Sequence, residues 1–182
     1  MSKDKLKDIL STPTYCGQEQ YIIAKITKYL IESNLDYVID EHGNIFVTKG
    51  TADYYPCVVA HTDSVHRIVD MDIIELEDNN DVLYAVEKNT NKKTGCGGDN
   101  KAGVYVCLEL LNRVEIIKAA FFVSEEYGCF GSTLADESFF ENVGYAIQFD
   151  APGNRMITEI SMGTRLFELN GDFHKITSNI LN

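Results

Sequence analysis

Three short apolar runs, the third interrupted only by Gln148, constrain this chain most, because each stops at residues able to hold a metal ion. Cys57-Val58-Val59-Ala60 leads into His61-Thr62-Asp63, residues 119–123 lead into Ser124-Glu125-Glu126, and residues 145–149 lead into Asp150. Runs of this length and composition read as strands buried on both faces. The intervening segments have helical spacing. Residues 18–34 carry Ile22, Ile23, Ile26, Leu30 and Ile31 on one stripe, and residues 101–114 carry Val104, Cys107, Leu108 and Leu111 on one face. Buried strands alternating with amphipathic helices predict an α/β fold with a mixed, largely parallel central sheet sandwiched by helices. Ligands of such sheets collect beyond the carboxyl ends of the strands, where these polar residues fall.

The remaining elements are shorter. Residues 3–10 predict a helix interrupted by Thr12-Pro13, and residues 35–40 and 45–48 a hairpin around His42-Gly43-Asn44. A second hairpin is expected from residues 72–76 and 82–86, turned at residues 78–81. Residues 88–100, KNTNKKTGCGGDN, read as a polar loop, and residues 128–140 as a helix after a glycine-rich turn. Residues 156–160 and 166–169 read as weaker strands, and residues 172–181 as a short amphipathic helix. With no repeat, low-complexity tract or linker, residues 1–182 are expected to form a single domain.

Charge narrows the partners. With 28 acidic against 16 basic residues the net charge is −12. No basic stripe is available to neutralise phosphates, so nucleic acid is not expected as a partner. An acidic surface favours divalent cations over anions. No apolar run approaches the roughly 20 residues needed to span a bilayer, so no membrane partner is expected. The first residues, MSKDKLKDILSTP, lack a signal-peptide apolar core. The five cysteines, Cys16, Cys57, Cys96, Cys107 and Cys129, are scattered and contain no C-x-x-C pair. Reduced thiols and a cytoplasmic location are the expectation, with Cys57 and Cys107 as small core residues.

A carboxylate at the end of one strand is ordinary, since Asp and Glu are mostly exposed. Four such positions meeting at one sheet edge are not. His61 with Asp63, Glu125 with Glu126, and Asp150 end strands, while Asp99 sits in a glycine-rich loop opening a helix. One imidazole and three carboxylates suit a borderline divalent ion, Zn²⁺ first, with Co²⁺ or Mn²⁺ tolerated. Two ions about 3.5–4 Å apart need a bridging carboxylate, and Asp99 is the natural bridge. The GCGG string is no phosphate loop, because no Lys-Ser or Lys-Thr follows it at the required place.

The pieces AHTD (60–63), GGDNKAG (97–103), SEEYGCFGS (124–132) and QFDAPG (148–153) resemble, in order, the co-catalytic zinc exopeptidase superfamily. The likeness is closest to the branch holding peptidase T, aminoacylase and related carboxypeptidases, and it covers roughly residues 17–170. The resemblance implies two Zn²⁺ ions, with His61 and Asp150 on one, Glu126 on the other and Asp99 bridging. It implies Asp63 as the partner that holds the His61 ring. It implies Glu125 as the general base that takes a proton from a metal-activated water and passes it to the leaving amine. The implied substrate is a short peptide or an N-acyl amino acid.

The departures are as informative. The family supplies one more His near its C-terminus, whereas the 32 residues after Asp150 hold only His174, in an unmatched context. The chain is therefore expected to stop before the last ligand and to lack the lid domain of many relatives, unless the 72–87 hairpin is a vestige of a cover. The missing ligand leaves several readings open: a complementing C-terminal fragment, one weak zinc site, replacement by His174 or His66, or an inactive relative that binds a metal or a partner. An exposed sheet edge would favour a homo-oligomer. Among neighbouring residues, Lys101 is expected to cap and solubilise the first helical turn and Tyr127 to pack as an aromatic. Cys96 and Cys129 are expected to flank the site as filler, with His66 beside it and His42 in a turn.

Overall fold

The computed structural model describes residues 2–66, 70–76 and 79–150. Its helices are α1 (Lys3–Leu10), α2 (Gln20–Glu32), α3 (Gly98–Arg113) and α4 (Phe130–Thr133), with a 3-10 turn at Glu137–Phe140. The strands are β1 (Tyr37–Ile39), β2 (Ile45–Lys49), β3 (Tyr55–His61), β4 (Met71–Leu76), β5 (Asn79–Glu87), β6 (Lys93–Thr94), β7 (Ile117–Phe122) and β8 (Val143–Gln148). Five of them form the main sheet in the order β1-β2-β7-β3-β8, and β4-β5-β6 form a separate small sheet.

β3 runs parallel to both β7 and β8, while β2 is antiparallel to β1 and to β7. The fold is α/β with a mixed sheet, as expected. Parallel pairing is confined to the β7-β3-β8 half; β1 and β2, joined by a tight turn, can only be antiparallel to each other, and β2 meets β7 antiparallel as well. The period of two sorts each strand between two cores. Val58, Ala60, Ala119, Phe121, Ile45 and Val47 face α1, α2 and α3, where they meet Ile9, Ile22, Ile26, Leu30, Val104, Leu108 and Leu111. Cys57, Val59, Ala120, Phe122 and Phe46 face the other way, onto Ala135, Phe139, Phe140 and Ala146. Cys57 and Cys107 are both fully buried, which fits their reading as core residues.

Three local expectations are corrected. Asn79, Asn80 and Asp81 belong to β5 rather than to a turn, because β5 continues until Asn79 pairs with Leu76. The polar loop contains β6, which pairs Lys93 and Thr94 with Val86 and Ala85 and so occupies the second edge of β5. The helix expected over 128–140 is instead α4 followed by the 3-10 turn. The Asp136 side chain accepts from Ser138 N (2.9 Å) and starts the new turn. That break lets Phe139 and Phe140 both lie on Phe46, at centroid separations of 4.9 and 6.4 Å. The strands expected at 156–160 and 166–169, the helix at 172–181 and His174 lie outside the described residues.

Candidate metal centre

The site follows from the strand register. His61 pairs with Phe122 in the parallel β3–β7 ladder, so the loops beyond both strands leave from the same sheet edge. β8 is parallel to β3 on its other side and delivers Asp150 two residues past its end. Asp99 arrives at this edge at the start of α3, where the backbone is non-helical at Asp99 and Asn100. Gly97, just ahead of it, has φ +64°, and a Cβ there would lie 2.9 Å from both Ser64 Oγ and Lys101 Cε. Only glycine tolerates both the dihedral and the approach.

Asp63 is fully buried and ties two of these loops together. Its Oδ1 accepts from His61 Nδ1 (3.2 Å) and from Glu125 N (2.9 Å), and its Oδ2 accepts from Glu126 N (3.0 Å). These bonds hold the carboxyl of Asp63 below its ordinary range, although burial alone would raise it. Since the carboxylate only accepts, Nδ1 carries the proton and Nε2 is left facing the other acids. His61 Nε2 lies 3.0 Å from Asp99 Oδ1, 3.5 Å from Asp150 Oδ1 and 3.8 Å from Glu125 Oε2. One donor atom each from His61, Asp99 and Glu126 falls within a 4.8 Å cluster. All six residues expected at the site therefore meet at one place.

The electrostatics suit a site that binds a cation. Burial disfavours a charged His61, yet Asp150 and Asp63 outweigh it and push the imidazole up to about 11. Burial and the neighbouring Asp150 raise Asp99, while for Asp150 the bonds to His61 and Asp99 outweigh burial and hold it below its usual value. Burial, followed by the charges of Asp99 and Glu125, raises Glu126 despite the opposing influence of His61. Ligands about 2.0–2.1 Å from a tetrahedral ion sit roughly 3.3 Å apart, which the 3.0 and 3.5 Å separations around Nε2 bracket. The donor set, one imidazole nitrogen with carboxylate oxygens, suits a borderline divalent metal.

Several neighbours differ from their sequence reading. Lys101 does not solubilise the helix: it is 1% exposed, and its Nζ donates to the carbonyls of Leu10 and Thr12, both at 2.7 Å. A lysine near a helix start is ordinary, and no sequence signal marked this one. Tyr127 is 77% exposed and does not pack. Cys129 flanks the site as expected, its thiol 3.5 Å from Glu125 Oε1. Asn44, read as a turn residue, is buried and spans the loop bearing Glu125 and Glu126. Its Oδ1 accepts from Val123 N (3.0 Å) and its Nδ2 donates to Gly131 O (2.9 Å). His42 does lie in the turn, and exposed His66 stands beside the loop, its ring where a Gly95 Cβ would be.

No family model matches the sequence, and no curated protein does. Solved structures do match. A tripeptidase from Staphylococcus aureus superposes with a TM-score of 0.67 at 21% identity, over 82% of this chain and 43% of its own. The aminopeptidase PepT from Bacillus cereus gives 0.67 at 20% identity, over 82% and 43%. The TET1 peptidase of Pyrococcus horikoshii gives 0.55 at 16% identity, over 81% and 68%. The chain shares their fold. These neighbours are peptidases of the kind the sequence resemblance named, and the chain spans less than half the length of the first two. Among the described residues, no helix is long and apolar enough to cross a membrane.

Proposed function

We propose that this chain carries the metal-binding half-site and general base of a metal-dependent hydrolase that cleaves an amide bond in a short peptide or N-acyl amino acid. The observation behind the reading is the convergence of Asp99, Glu125 and Asp150 on His61 Nε2, with Glu126 in the same cluster. His61 and Asp150 would hold one Zn²⁺, Glu126 the other, and Asp99 would bridge them. A bound metal supplies Lewis acidity, polarising the amide carbonyl and making water a better nucleophile.

The chain's own residues do the rest. Asp63 fixes the His61 tautomer so that Nε2 is available, and through the Glu125 and Glu126 amides it holds the backbone from which both side chains leave. Glu125, 28% exposed on its side chain, is open to a water molecule, takes its proton on a carboxylate oxygen and returns it to the departing amine nitrogen. Glu126 differs from its neighbour only in environment, which is enough to separate the two roles. TET1 peptidase assembles into a tetrahedron or a large octahedral shell. For this chain a homo-oligomer is the corresponding reading, and light scattering of the purified protein tests it.

The test is metal content together with hydrolysis of amino-acid amides, with and without added Zn²⁺ or Co²⁺. Glu125→Gln is expected to lose activity by about 10²–10⁴-fold while keeping the metal. Activity that survives this change means that the general base is misassigned. A wild-type chain that takes up no metal overturns the proposal.

A further inference from the structure

Ser124 connects β7 to the Glu125–Glu126 pair, and its φ is +53°, in the left-handed region that residues other than glycine seldom occupy. Such a conformation persists only where the surroundings impose it. Here the Glu19 side chain grips the residue: Ser124 N and Ser124 Oγ both donate to Glu19 Oε1, at 3.0 and 3.2 Å, while Ser124 also bonds the Cys16 thiol and its carbonyl accepts from Phe130 N (3.0 Å). Glu19 lies in none of the four motifs, yet it is only 6% exposed. Its location at the start of α2 does not account for that burial, because its side chain makes no capping bond there. Instead it reaches a residue 105 positions away in sequence. Directly after Ser124, the amides of Glu125 and Glu126 both point at Asp63.

We infer that Glu19 is a positioning residue for the Glu125–Glu126 pair, acting through the left-handed turn it holds at Ser124. The inference rests on the proposed metal site and adds a residue to it. Glu19 grips the amide and hydroxyl of Ser124, the turn aims the next two amides at Asp63, and Asp63 in turn orients His61. A displaced Ser124 would leave Glu125 and Glu126 without their common direction, whether or not the rest of the fold changed.

Amide hydrogen exchange in the metal-free full chain tests this, alongside Co²⁺ titration followed by the visible absorption of the bound ion. In Glu19→Ala the amides of Ser124, Glu125 and Glu126 are expected to exchange about 10-fold faster relative to those of β3 and β7. Co²⁺ binding is expected to weaken by about 10–100-fold. Glu19→Gln, which keeps an acceptor at the same reach, is expected to restore most of both. Should Glu19→Ala fail to fold, Glu19→Asp withdraws the carboxylate by one methylene and carries the same comparison. Unchanged exchange at the three amides, or a Gln variant no better than Ala, overturns the inference. A wild-type chain that ignores Co²⁺ defeats the proposed function instead, and exchange still decides the part played by Glu19.

Discussion

Replacing Asp63 by Asn is the sharpest probe of the site, because it changes charge and bonding capacity but almost no volume. Asp63 is fully buried and accepts from three donors, His61 Nδ1, Glu125 N and Glu126 N. An amide carries one acceptor oxygen and one donor group. If the oxygen takes the Oδ1 position, His61 and Glu125 remain bonded, and the new NH₂ faces Glu126 N donor to donor. Turned over, it loses the other two. Leaving a buried N–H unpaired and removing a charged acceptor costs about 2–3 kcal/mol. For a chain of this size that lowers Tm by roughly 4–12 °C. Urea denaturation in the presence of chelator reads the loss without any metal contribution, and a metal titration is expected to show 10–100-fold weaker binding. A metal-free variant within about 0.5 kcal/mol of wild type would refute the claim that Asp63 is the shared acceptor of the two loops.

Other outcomes follow from the same geometry. Lys101→Met leaves the buried carbonyls of Leu10 and Thr12 unpaired and is expected to destabilise by about 2–4 kcal/mol in chemical denaturation; a neutral effect would mean that those carbonyls find other partners. Asp8 accepts from Lys25 Nζ and Tyr29 OH, which outweigh its burial and hold its carboxyl below the usual value. Its contribution is therefore complete above its unfolded pKa and fades as pH falls through the folded one, so the Tm gap between wild type and Asp8→Asn should narrow on going from pH 6 to pH 3. Phe121→Ala opens a cavity at a fully buried position between β7 and the helices, with an expected cost of about 3–5 kcal/mol by the same denaturation assay. A metal that binds only the folded chain raises stability by about 4 kcal/mol at a thousandfold excess over its dissociation constant. Calorimetry should show that gain vanish in His61→Ala.

Much of the fold was legible because its signals are local. Two of the three apolar runs are buried strands, β3 and β7, whereas β8 is no more than half-buried because it is the outermost strand of the sheet among the described residues. The stripe of Ile22, Ile26 and Leu30 sets α2. That the six candidate residues would meet was equally legible, since each stands at or just past the end of a strand or at a glycine-rich helix start. The broken helix after Gly128 was not read: the Asp136 cap on Ser138 is local, but the packing of Phe139 and Phe140 on Phe46 that the restart serves is tertiary. Nor was the small strand β6, whose two residues are defined by the edge of β5 they cover.

The sequence by itself determined the strands of the main sheet, the edge they open on and the donor types that gather there, since period, punctuation and residue chemistry are written along the chain. Tertiary structure alone decided that Lys101 would be buried, that Asn44 would bridge Val123 and Gly131, and that Glu19 would grip Ser124. Those roles depend on which backbone groups remain unpaired once distant segments pack. A polar side chain's partner across about a hundred residues leaves no trace in its own neighbourhood.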